Sequence, residues 1–96
     1  MPEADEPPFP AGGLIAIYRP ISQVQGAMRG EGLVEMYVMV NTDGRAVSVS
    51  VYKTPDPATS EEIAKVLMLT EYKPALCAGK PCVMEFPFVV TLSRSL

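Results

Sequence analysis

From Leu33 to Val40 the side chains alternate, with Val34, Met36, Val38 and Val40 on one face of an extended chain and Leu33, Glu35, Tyr37 and Met39 on the other. The first face predicts core and the second a mixed surface. Ala46 to Lys53 alternates more cleanly: Val47, Val49 and Val51 point inward and Ser48, Ser50 and Tyr52 outward, as in an antiparallel strand with one face in water. Between these runs lies Asn41-Thr42-Asp43-Gly44-Arg45. Asn and Asp tolerate left-handed backbone and Gly adopts positive φ without steric cost, so this segment predicts a hairpin turn.

Helical spacing shows in two places. Ala11 to Arg19 predicts a short helix, with Gly12 and Gly13 at its start, Leu14, Ile17 and Tyr18 on one side, and Pro20 as its stop. Ile21 to Gly30 is less regular, because Gly26, Gly30 and the nearby Gly32 work against a continuous helix at about 1 kcal/mol each relative to Ala. Thr59 with Glu62 fits a capping box, and Ile63, Val66 and Leu67 recur at helical spacing toward Thr70. This predicts a second helix whose apolar stripe packs on the sheet, with Pro55 and Pro57 closing the strand before it.

Cys82 to Leu92 predicts the last strand, with Met84, Phe86, Phe88, Val90 and Leu92 on one face and Val83, Glu85, Pro87, Val89 and Thr91 on the other. Proline has no N–H to donate and is confined to edge strands or bulges, so Pro87 predicts a strand with one side unpaired. A crossover from the second strand through the helix sets the third beside the first. The expected fold is α+β: a small three-stranded antiparallel sheet in the order 2-1-3, packed against two helices. Its open rim invites a visiting chain, which points to a partner-binding module.

Composition narrows the chemistry. The 96 residues make one domain, and 48% hydrophobic content supplies a core, while no apolar run approaches the ~20 residues of a spanning helix. A formal charge of −3 without a basic cluster argues against a nucleic-acid partner. The chain contains no histidine, which removes the commonest general base and metal ligand, and two cysteines do not complete a zinc site. Glu61 and Glu62 resemble a carboxylate pair but sit beside the expected helix start, where negative charge offsets exposed N–H groups. Ser48 and Ser50 read as solvated strand face. Met28, Met36, Met39, Met68 and Met84 read as core or loop residues in preference to a metal cluster. Catalytic, metal and cofactor sites are all expected to be absent.

Residues 1–10 combine acids with four prolines and predict a disordered tail or linker end, leaving 11–96 as the folded domain. A basic start followed by an apolar stretch is absent, so the chain reads as cytosolic or as an excised part of a longer exported protein.

Several pieces then occur in a fixed order: Glu31-Gly32-Leu33-Val34 opening a strand, the Asn41–Arg45 turn, Glu71-Tyr72-Lys73-Pro74-Ala75 after the helix, Gly79-Lys80-Pro81, and Phe86-Pro87-Phe88 before Leu92. In this order they resemble the C-terminal domain of TonB-type energy transducers, small periplasmic domains that dock onto outer-membrane transport receptors. Phe9-Pro10-Ala11-Gly12-Gly13 is similar to the Phe-Pro-x-Gly-Gly start of one variant of that family. The resemblance implies a periplasmic docking domain in which an extended receptor segment joins the last strand. Strand addition would engage Val83, Glu85, Phe86, Pro87, Phe88, Val89, Val90 and Thr91. Tyr18, Arg19 and Pro20 stand for the family's Tyr-Pro, here interrupted and farther upstream. The resemblance also implies an inner-membrane motor complex, reached through an N-terminal part outside this chain. The same fold used as a self-associating envelope assembly domain, a homodimer paired through its open edge, is the alternative.

Cys77 and Cys82 flank Ala78-Gly79-Lys80-Pro81, a turn-like tetrapeptide that brings their backbones close. An exported protein meets an oxidising compartment, so a disulfide is the favoured expectation, contributing about 2 kcal/mol in the chain-entropy model. Two reduced cysteines packed as small hydrophobes, or a redox-active pair without the Cys-x-x-Cys spacing, are the alternatives.

Overall fold

The fold is that of a computed structural model describing residues 5–24 and 31–92, with the side chains of residues 23 and 24 left aside. Its elements run β1 (Phe9–Pro10), α1 (Ile15–Val24), β2 (Gly32–Val40), β3 (Ala46–Lys53), α2 (Pro57–Leu69), β4 (Tyr72–Lys73), β5 (Ala75–Cys77), β6 (Lys80–Cys82) and β7 (Met84–Leu92). The architecture is α+β. A three-stranded antiparallel sheet in the order β3-β2-β7 carries both helices, which matches the order read from the sequence, and two short ribbons, β1-β4 and β5-β6, stand beside it.

Alternation on the central strand builds the core. Val34, Met36, Val38 and Val40 are fully buried, and they meet Ile17 and Ile21 of α1, Ile63 and Leu67 of α2, and Phe86, Phe88 and Leu92 of β7. The turn after β2 is held by Asn41, whose carbonyl accepts from the Gly44 N–H at 3.0 Å and whose side-chain Oδ1 accepts from the N–H groups of Asp43 and Arg45, both at 3.0 Å. That side chain closes the turn locally, so the register of the hairpin starts from a rigid point.

β3 departs from strict alternation. Its pairing with β2 skips Val47 and Tyr52, two bulges that reset which face follows. Val47 therefore does not point inward and is 58% exposed, Val49 alone of the three valines is half-buried, and Val51, opposite Met36, is 44% exposed. Tyr52 packs on the outer face, its ring centroid 4.7 Å from that of Tyr37.

The helices also start elsewhere than expected. Gly13 is left-handed, at φ 79°, and ends a turn closed by its N–H to the Pro10 carbonyl, so α1 begins at Ile15 and not at Ala11. Pro20 sits inside α1 and does not stop it. Proline removes one intrahelical N–H there, and the loss is tolerated because Ile17 and Ile21, on either side of it, both bury in the core. The helix consequently reaches into the segment read as irregular, while residues 25–30 lie outside the described residues.

α2 is capped by Asp56, not Thr59. Pro57 takes the first helical position, where its missing N–H is harmless, and the Asp56 carboxylate accepts from the Thr59 N–H at 3.3 Å and hydroxyl at 2.6 Å. These bonds, the Thr59 hydroxyl first, hold the Asp56 carboxyl below its ordinary pKa. Glu61 and Glu62 accordingly fall in the second turn, away from the exposed N–H groups, and Glu62 pairs with Lys65 at 3.3 Å. Met68 is 41% exposed and so is not a core residue.

Within the segment read as a tail, residues 5–10 pair with the rest of the chain. Glu6 and Leu76 exchange two main-chain bonds at 2.9 Å, the Ala11 N–H donates to Glu71, and Phe9 and Pro10 pair with Lys73 and Tyr72. Pro8 and Pro10 are fully buried, and the Phe9 ring stands edge-on to Phe86 at 6.2 Å. Prolines surrender little conformational freedom on ordering, so a segment poor in aliphatic residues can still dock. The last strand, finally, divides at Val83: Cys82 belongs to the β5-β6 hairpin, and the Cys77–Cys82 disulfide closes that hairpin, with Cα atoms 5.8 Å apart.

Candidate partner-binding edge

The direction of each peptide group on β7 follows from the hairpin. The Asn41 N–H donates to the Arg45 carbonyl at 2.9 Å, so Asn41 addresses β3. Peptide groups alternate sides along a strand; Met39 and Tyr37 therefore also address β3, while Val34, Met36, Val38 and Val40 address β7. β7 pairs with β2 without a register shift, Val38 opposite Phe86, Tyr37 opposite Pro87 and Met36 opposite Phe88. Pro87 thus occupies a pair that makes no bond to β2, and its N–H would have faced away from the sheet. The proline removes no ladder bond.

The same alternation turns the N–H and C=O groups of Glu85, Val89 and Thr91 outward, along an edge that no strand covers among the described residues. Phe86, Phe88 and Val90 turn theirs toward β2, and the Phe86 and Phe88 side chains are buried, 6% and 2% exposed. The residues expected to bind a partner therefore divide. Glu85, Pro87, Val89 and Thr91 present backbone and exposed side chains, whereas Phe86 and Phe88 hold the strand in place from behind. Val83, 57% exposed, lies at the junction of β6 and β7.

A groove of about 470 Å³ runs beside this edge, bounded by Tyr18, Ile21 and Ser22 of α1 and by residues 88–92 of β7. The Tyr18 ring leans on Phe88 with centroids 6.2 Å apart. Of Tyr18, Arg19 and Pro20, only Tyr18 lines this groove. Arg19 is exposed outside it, and Pro20 lines a different hollow, together with Ala16, Val66 and Leu69. Ile21 and Ser22 were missed in the sequence. The signal was their helical spacing from Tyr18, hidden by ending the helix at Pro20.

Electrostatics on the outer face centres on Glu35, whose carboxylate accepts from the Tyr37 hydroxyl at 2.7 Å and raises the Tyr37 pKa. Among the described residues, no group of three His, Cys, Asp or Glu side chains could hold a metal ion, and no helix is long and apolar enough to cross a membrane. No protein-family model matches the chain, and no curated protein matches it.

Proposed function

We propose that the protein is a docking domain that takes an extended polypeptide segment onto the free edge of β7, in the manner of TonB-type energy transducers. The partner in that reading is a segment of an outer-membrane receptor, the location is the periplasm, and the domain carries no catalytic chemistry. One observation carries the proposal: Glu85, Val89 and Thr91 turn their peptide groups to solvent beside a groove floored by Phe88 and flanked by Tyr18. An added strand gains main-chain bonds there, and its alternate side chains fall toward the groove, which is how strand addition separates affinity from choice of partner. The ordered motifs from Glu31 to Leu92 support the family comparison.

The test is an amide titration of the labelled, oxidised protein with extended peptides taken from outer-membrane receptors. The Glu85, Val89 and Thr91 amides are expected to shift and gain protection from exchange, with the Tyr18 ring following. Saturating peptide that leaves those amides and Tyr18 unmoved sinks the proposal.

A further inference from the structure

Among the described residues the sheet has a second edge that no strand covers, on β3, and its surroundings are built differently. Ser50 pairs with Tyr37 and spends its peptide groups on β2, so Val49 and Val51 turn theirs outward. α2 lies over this edge and contributes Glu61, Ala64, Lys65 and Met68, one stripe at helical spacing, to an open, mainly apolar groove of about 570 Å³ floored by Ser48 and Val49. Met68, 41% exposed, and Leu69, 85% exposed, line it, and Val51, on the same strand face as Val49, is 44% exposed. No proline or glycine interrupts β3.

We infer that this edge is the self-association face, where a second copy of the chain pairs β3 with β3 and packs α2 across the seam. The charge pattern selects a copy over an unrelated partner. Glu61 and Lys65 flank the small Ala64 on the exposed stripe, and although Lys65 reaches Glu62 of its own helix at 3.3 Å that pair lies in water and is weak, so an antiparallel helix related by a two-fold axis can set Glu61 against Lys65 of the second copy, twice. A patch that carries both signs around a small residue is its own complement. On the strand, Ser50 on the axis places Val49 opposite Val51 of the second copy, and each such pair exchanges two main-chain bonds. On the β7 edge Pro87 lacks its outward donor, so a β7–β7 pairing that spans it makes fewer main-chain bonds than one through β3. The face is separate from the proposed docking edge, so neither inference depends on the other.

The experiment is sedimentation equilibrium of the full oxidised chain and three variants, Glu61→Lys, Lys65→Glu and the double exchange, with amide exchange of each at the highest concentration. The native chain is expected to dimerise reversibly, with Val49 and Val51 amides protected in the dimer and exchanging freely on dilution. Each single reversal creates two like-charge contacts and is expected to weaken the dimer about tenfold at low salt, while the double exchange restores it. Thermal melts of dilute protein show whether each variant folds. A chain that stays monomeric at every concentration overturns the inference. So does a dimer whose protected amides lie on β7, or one indifferent to the single reversals.

Discussion

Gly44 and Tyr72 meet backbone to backbone: the Tyr72 N–H donates to the Gly44 carbonyl at 2.9 Å, and a Cβ built on Gly44 would stand 2.0 Å from the Tyr72 carbonyl oxygen. Arg45 and Glu71 extend the contact as an isolated bridge. The hairpin turn is thereby fixed to the chain that follows α2, and the Tyr72 side chain passes into the core, its hydroxyl donating to the Leu67 carbonyl at 2.8 Å.

Gly44→Ala therefore meets two obstacles, a left-handed backbone at φ 80° and a main-chain oxygen that does not rotate away. The substitution is expected to destabilise the domain by about 3 kcal/mol or more, read as a lowered urea midpoint. A loss below about 1 kcal/mol would mean that the turn does not dock on Tyr72.

The β5-β6 turn holds the one non-glycine residue with positive φ among those described, Ala78 at 51°, followed by Gly79 at 81°. Two central residues of this kind make a type I′ turn, for which Asn-Gly is the favoured pair. Ala78→Asn should stabilise the oxidised protein by about 0.5–1 kcal/mol, measured by urea unfolding.

Burial pushes the Tyr72 hydroxyl up to about 12. The folded protein then holds this proton more tightly than the unfolded chain, whose tyrosines titrate near 10. The stability that Tyr72 contributes is fully present below pH 10 and is lost as the pH rises through 12, a fall of up to about 2 kcal/mol across that window. In Tyr72→Phe the corresponding slope should vanish, although the variant starts lower by about 1 kcal/mol for the missing bond to Leu67. Tm measured across the alkaline range checks both.

Pro87 keeps one donor out of the exposed edge. Pro87→Val supplies that donor without touching the β2 ladder, so thermal stability should change little while association through β7 rises, seen as increased light scattering at fixed concentration. Unchanged scattering would show that the proline has no protective role.

The main sheet was legible because its pattern is local. The alternation of β2 and β7 and the turn at Asn41–Arg45 are written in adjacent residues, and they were enough to order the three strands and to place Pro87 on a rim. The features that escaped depend on distant partners or on competition between local signals. Phe9 and Pro10 become a strand only because Tyr72 and Lys73 lie beside them, far along the chain. Asp56-Pro57 and Thr59-Glu62 are both plausible helix starts, and the proline geometry decided between them. The bulges at Val47 and Tyr52 leave no mark in a regular alternation. At the candidate site, the backbone edge was visible through Pro87, but the groove was not, since one wall of it, with Ile21 and Ser22, comes from a helix that continues past a proline.

Residue 5 has a mechanical consequence. The Asp5 side chain accepts from the Ala78 N–H at 3.2 Å, and Glu6 is bonded on both sides to Leu76, directly beside the covalent link between Cys77 and Cys82. Tension applied to the chain at that point is received by a cross-linked hairpin before it reaches α1 or the sheet. The hairpin is placed like a cleat: a pull on residue 5 has to break its bonds to Ala78 and Leu76 before it loads α1 or the sheet.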